Sequence, residues 1–207
     1  SVPNTEHTYI LEGPGPRKTY VALGDSLTAG VGVASYTESY PHGVAKLLSK
    51  RHGVELRVLA YPGLRSKGVI TEFLTTAVAA KPDIVSILIG TNDIHGRVSA
   101  QEFESNYRAI LEGLGDTKAD IYAVSIPYIG SRTLVFPPMN FYLDWRTRHF
   151  NRIIQRLAAE YKVTYIDIAE PTKRELKPDS LYSADSFHPN TVGYARWSHL
   201  IYADISP

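Results

Sequence analysis

A chain of 207 residues, 43% hydrophobic and 21% charged, is of single-domain length and carries enough apolar side chains for a full core, which excludes disordered and coiled-coil readings. Lys plus Arg number 22 against 21 Asp plus Glu, a net charge of +1, too balanced for a protein that works by neutralising nucleic-acid phosphates. With no cysteine there are no disulfides, thiolate metal sites or cysteine nucleophiles, and no run of about 18 apolar residues is present to span a bilayer.

Ser1 opens the chain and Met139 is its only methionine. That fits a cleaved leader on a secreted or periplasmic protein, and equally a trimmed start. Residues 1–18 are polar and interrupted by Pro3, Pro14 and Pro16, which predicts a surface strap or tether; residues 19–207 are expected to form the domain proper. Tyr20–Leu23, Leu56–Leu59, Ile84–Ile89, Ile121–Val124 and Val163–Ile166 read as strands. The third is apolar at nearly every position, as for a parallel strand covered on both faces.

Between the strands, apolar residues recur at helical spacing. Val44, Leu47 and Leu48 mark one helix, and Ile70, Phe73, Leu74, Ala77 and Val78 a second. Phe103, Tyr107, Ile110, Leu111 and Leu114 mark a third, and Phe150, Ile153, Ile154, Leu157, Ala158 and Tyr161 a fourth. A fifth follows Pro189, with Asn190 as its cap, to about Tyr202. Five strands alternating with five helices predict a parallel sheet covered on both faces. The stretch 127–140, with three prolines, is long for a plain connection and reads as a lid or pocket wall.

Ligands of open parallel sheets bind at the carboxyl ends of the strands. There the sequence places Gly24-Asp25-Ser26-Leu27, Tyr61-Pro62-Gly63 and Gly90-Thr91-Asn92-Asp93, with Asp185-Ser186-Phe187-His188-Pro189 before the last helix. A serine, a histidine and an aspartate three residues before it suit acyl transfer. The imidazole takes the hydroxyl proton, and the carboxylate fixes its tautomer. The Ser26 amide at the start of a following helix, the Gly63 amide and the Asn92 side chain are candidate donors to an oxyanion.

These four blocks (GDSLTAG, YPG, GTND and DSFHP) resemble those of the SGNH hydrolases, also called GDSL esterases and lipases, and the likeness runs from about Tyr20 to Ile201. The resemblance implies a flavodoxin-like three-layer α/β/α fold with a five-stranded parallel sheet. It implies Ser26 as nucleophile, His188 as base and Asp185 as its partner, with Ser26, Gly63 and Asn92 forming the oxyanion hole. It further implies hydrolysis of short or medium acyl, aryl, thio- or lysophospholipid esters through an acyl-serine, with a small-molecule ester as substrate and no cofactor or metal. The alternatives are a carbohydrate O-deacetylase on the same residues and a non-catalytic flavodoxin-like binding domain, in which Asp185 and His188 have no purpose.

Several residues have plainer readings. Gly24-Asp25-Ser26-Leu27-Thr28 lacks the second glycine of a G-x-S-x-G elbow. Asp25 and Asp93 are expected to tie down loops, and the remaining histidines have no metal-ligand spacing, His95 alone lying near enough to Asn92 to line a cleft. Arg146, Arg148, Arg152 and Arg156 suit a solvated helix face better than an anionic partner. Tyr36, Tyr40, Tyr128, Phe136, Phe141 and Tyr142 either line an apolar acyl or aryl pocket or pack the loops on themselves.

Overall fold

A computed structural model describes residues 6–128, 137–175 and 180–205. The strands are β1 (Glu6–Leu11), β2 (Lys18–Gly24), β3 (Val54–Ala60), β4 (Ile84–Leu88), β5 (Asp120–Val124) and β6 (Thr164–Ile166). The helices are α1 (Tyr40–Leu48), α2 (Ser66–Gly68), α3 (Leu74–Ala79), α4 (Thr91–His95), α5 (Ala100–Leu114), α6 (Met139–Tyr161), α7 (Ala169–Glu175) and α8 (Thr191–Ile205). A π-helical turn, Val69–Phe73, joins α2 to α3.

The sheet order is β1-β3-β2-β4-β5-β6, and every pairing from β3 to β6 is parallel. This is the expected doubly wound α/β fold with one strand more than the five predicted. The extra strand lies within the predicted strap: β1 pairs antiparallel with β3, from Glu6 opposite Leu59 to Leu11 opposite Val54. An edge strand needs only one covered face. Tyr9 and Leu11 supply it by packing against the apolar cluster, and Tyr9 stacks on Tyr36 at 4.8 Å.

The period of two in the central strands divides the core between two layers. From β2, Val21 and Leu23 join the cluster under α3, α5 and α6, while Tyr20 and Ala22 join the cluster under α1 and α8. Strand β4 is buried along its whole length, as its nearly continuous apolar run predicts, and its one polar residue, Ser86, shares a hydrogen bond of 2.8 Å with the Tyr20 hydroxyl. The order places β2 between β3 and β4, whose connections leave on opposite faces. A crevice therefore opens beyond Gly24 and Leu88.

Two helices depart from the periodicity. Helix α6 begins at Met139, well before the apolar repeat starts at Phe150; in its first turns Met139, Phe141, Tyr142 and Trp145 are exposed, while Leu143 packs against the core. No helix follows Ser26. Residues 26–32 form successive turns, because Gly30 and Gly32 adopt φ of +76° and +105°, where a right-handed helix cannot continue. Of the predicted lid, residues 129–136 lie outside the described residues, and Met139 and Asn140 belong to α6.

Candidate active site

Ser26 stands two residues past β2. Gly24 makes the turn possible, because a Cβ there would lie 2.0 Å from Thr28 Oγ1 and 2.5 Å from the Leu88 carbonyl oxygen. Asp25, fully buried, accepts a bond from the Leu27 amide at 3.0 Å, which secures the turn under the serine. Ser26 is 6% exposed, and its Oγ lies 3.0 Å from His188 Nε2 although 162 residues separate the two in sequence. His188 Nδ1 lies 2.6 Å from Asp185 Oδ2. Serine, imidazole and carboxylate thus form one hydrogen-bonded line.

The Asp185–His188 loop is built around the carboxylate. Asp185 Oδ1 accepts bonds from Ser183 Oγ at 2.7 Å and from the Phe187 and His188 amides, both at 2.9 Å, leaving Oδ2 for the imidazole. The loop holds Ser186 at φ +58°, a left-handed conformation that costs a serine on the order of 1 kcal/mol and that these bonds sustain. Burial opposes ionisation of Asp185. The four hydrogen bonds outweigh it and hold the carboxyl well below the usual carboxylate range.

Asn92, in α4 beyond β4, donates from Nδ2 to the Leu64 carbonyl at 3.0 Å and to Asp25 Oδ2 at 3.4 Å. Gly63 immediately precedes that carbonyl in a turn at φ +89°, exposed and with no atom within 4 Å of where a Cβ would sit. The structure therefore gathers Ser26, Asp185 and His188 directly, and holds Asn92 and the turn containing Gly63 beside them through Leu64 and Asp25. The Ser26 amide opens a run of turns instead of the expected helix, so it lacks the dipole of a helix N-terminus.

Asp25 and Asp93 are both buried loop anchors, as expected. Asp93 takes the Ser66 amide at 3.0 Å and the Ser66 hydroxyl at 2.5 Å, tying α2 to α4. Burial pushes the Asp25 carboxyl up to about 7, the charge of Asp93 adding to it and the Leu27 amide opposing. An unfolded aspartate ionises near 3.9, so between about pH 4 and pH 7 unfolding releases a proton from Asp25. Its contribution is greatest below that window and is lost as pH rises through it, by an amount on the order of a few kcal/mol. Urea unfolding at about pH 5 and about pH 8 checks this: the stability of Asp25→Asn relative to the parent is expected to improve at the higher pH. No change between the two pH values would show that Asp25 folds as an ionised group.

Three contributors carry weak sequence signals. Gly32 lies under the histidine loop, where a Cβ would sit 2.4 Å from the Pro189 carbonyl oxygen and 2.9 Å from His188 Cβ. The Tyr194 hydroxyl of α8 donates to the Val31 carbonyl at 2.7 Å, pinning the same segment, and only the Gly-Val-Gly run hinted at so close an approach. Phe187 packs edge-on against His188 at 4.8 Å, with the His95 ring 5.4 Å from it, so His95 does reach the cleft wall. Displacing reacting groups by about 1 Å can cost about 100-fold in rate. Gly32→Ala is accordingly expected to lower ester turnover by about that factor while the protein stays folded, as circular dichroism and initial rates will show.

The aromatics divide. Tyr40 is fully buried and bonds Thr28 Oγ1 at 2.9 Å, and Tyr36 stacks on Tyr9, so these pack the fold. Tyr128 bonds Glu170, Phe141 and Tyr142 stand exposed on α6, and Phe136 lies outside the described residues. Asn190 caps α8 as expected, accepting from the Val192 and Gly193 amides. Among the described residues no group of three His, Asp or Glu side chains is arranged to hold a metal, and no helix is long and apolar enough to cross a membrane.

A flavodoxin-like sheet with a Ser–His–Asp line at its carboxyl edge defines a class of α/β hydrolytic scaffolds. The profile of the GDSL-like lipase/acylhydrolase family matches residues 22–196, and the chain belongs to that family. A GDSL-like esterase of Mycobacterium tuberculosis is 26% identical over 186 residues, covering 87% of this chain and 59% of that protein. The spore germination lipase LipC of Bacillus licheniformis is 24% identical over 203 residues, covering 89% of this chain and 94% of that one. A lipase/acylhydrolase of Enterococcus faecalis shares the fold, with a TM-score of 0.76 at 22% identity over 91% of this chain and 95% of its own.

Proposed function

We propose that the protein hydrolyses carboxylic esters through an acyl-serine intermediate, with Ser26 as nucleophile, His188 as general base and acid, and Asp185 as its orienting partner. The observation that carries this is the continuous line from Ser26 Oγ through both imidazole nitrogens to a carboxylate held ionised. With Nδ1 donating to Asp185, the Nε2 lone pair faces the hydroxyl. As Oγ bonds to the carbonyl carbon, its proton passes to Nε2, and the carbonyl electron pair moves to oxygen. His188 returns the proton to the departing oxygen as the ester bond breaks. Water then repeats the sequence on the acyl-serine, releasing the acid and restoring the hydroxyl.

The oxyanion is assigned to the amides of Ser26 and Gly63 and to Asn92 Nδ2. One N–H of that amide is fixed on Leu64, which orients the plane of the group. The other makes only the long 3.4 Å contact with Asp25, and that is the bond an oxyanion displaces. Asn92→Ala is expected to lower kcat by about 100- to 1,000-fold with a much smaller change in KM, measured on p-nitrophenyl acetate. A change confined to KM would make Asn92 a substrate contact instead.

Short- or medium-chain acyl, aryl, thio- and lysophospholipid esters are the substrates proposed. Treatment with a fluorophosphonate followed by peptide mapping tests the reading. One adduct at Ser26, with loss of esterase activity in step with labelling, is the expected result. Activity that survives complete labelling of Ser26 would overturn it.

A further inference from the structure

Among the described residues, four of the six exposed large hydrophobic side chains fall in the first two turns of α6: Met139, Phe141, Tyr142 and Trp145. Phe141 is 66% and Trp145 55% exposed, and Tyr142 and Trp145 stack at 6.3 Å. A cluster of this kind on a folded surface marks an interaction site more often than it marks chance. Its position is informative. Strand β5 runs parallel to its neighbours and ends at Val124 on the edge that carries Ser26 and Asn92, so α6 starts at that edge and runs away from it. Arg146 Nη2 bonds the Val98 carbonyl at 2.6 Å, joining this part of α6 to the loop just after α4.

The same helix face continues in positive charge. Phe141, Trp145, Arg148 and Arg152 follow at i, i+4, i+7 and i+11, one stripe along the helix. Of the four arginines of α6 singled out by the sequence, Arg156 pairs with Glu104 and Arg146 bonds Val98. Arg148 and Arg152 are exposed, and among the described residues neither forms an ion pair, although Arg148 also reaches the Tyr128 side chain, whose hydroxyl bonds Glu170. Aromatic and sulfur-bearing side chains at one end of an exposed helix face, followed by exposed guanidinium groups, match the two layers of an anionic bilayer surface. The aromatics suit the acyl boundary and the cations the headgroups.

We propose that the outer stripe of α6 docks the protein on an anionic lipid surface, with the Ser26 edge of the sheet held at that surface. Delivery of a lipid-borne ester to Ser26 rests on the hydrolase reading above; the docking does not, and it is tested on a catalytically silent protein. Trp197, the second of the two tryptophans, is buried at 3% exposure, so a change of emission on binding reports Trp145.

The experiment is co-sedimentation and tryptophan emission of the Ser26→Ala protein with phosphatidylcholine vesicles carrying about 30% phosphatidylserine. Binding with a blue shift is expected. Each cation near such a surface contributes about five-fold, so Arg148→Gln/Arg152→Gln is expected to bind about 25-fold more weakly. Phe141→Ser/Trp145→Ser is expected to lose sedimentation, with an unchanged circular dichroism spectrum showing that it folds. Failure of the parent to bind, or binding that neither double variant weakens, overturns the proposal. So does self-association of the parent, abolished by Phe141→Ser/Trp145→Ser in the absence of lipid, which would assign the face to a second copy. Retention on an acetylated polysaccharide lost in the same variant, with no binding to vesicles, would assign it to carbohydrate and overturn the proposal as well.

Discussion

Ser26→Ala is expected to reduce kcat/KM on p-nitrophenyl acetate by about 10⁴- to 10⁶-fold, the range spanned when single members of a serine–histidine–aspartate unit are removed. The structure explains why so large a loss should leave the fold intact. The Ser26 hydroxyl has one described partner, His188 Nε2, and the turn that carries it is secured by the backbone and by the neighbouring Asp25 carboxylate. The variant is therefore expected to melt within a few degrees of the parent while failing to react with a fluorophosphonate. Near-normal turnover by a well-folded Ser26→Ala protein would remove the nucleophile from the scheme.

Asp185→Asn is expected to cost about 10⁴-fold in kcat with little change in stability. The carboxylate has two separable tasks here. Oδ1 gathers three donors and shapes the loop, and an asparagine oxygen can take its place. Oδ2 faces His188 Nδ1, and there the substitution presents an N–H. That donor favours the tautomer with the proton on Nε2, and the imidazole then cannot accept from Ser26. Asp185→Ala, in contrast, removes both tasks and is expected to loosen the loop, returning Ser186 from its left-handed conformation. Equal activity for the parent and Asp185→Asn would show that the carboxylate only shapes the loop.

Both predictions depend on residues that were recognisable before the fold was known, and the reasons differ from element to element. The central strands β2 and β4 were legible because two-sided burial favours near-continuous apolar runs. Strand β1 was not, since a strand covered on one face leaves only Tyr9 and Leu11 as a signal within a polar, proline-broken segment. The early start of α6 was hidden for a related reason. Periodicity reports burial, and the first turns of α6 expose the side chains that would have marked it. The helix expected after Ser26 failed on two glycines whose positive φ is set by packing, Gly32 lying against the histidine loop.

The amino-acid order by itself determined the doubly wound class of fold, the family blocks and the chemical types available at the sheet edge. These follow from local pattern, from alternation along strands, helical spacing and short motifs read within a few residues. Only the tertiary structure decided that an oxygen and a nitrogen 162 residues apart stand 3.0 Å from each other, that Asn92 is oriented through Leu64, and that the aromatic turns of α6 remain outside the core. Such distances are set by how both core layers pack against the sheet, and no stretch of sequence encodes them locally.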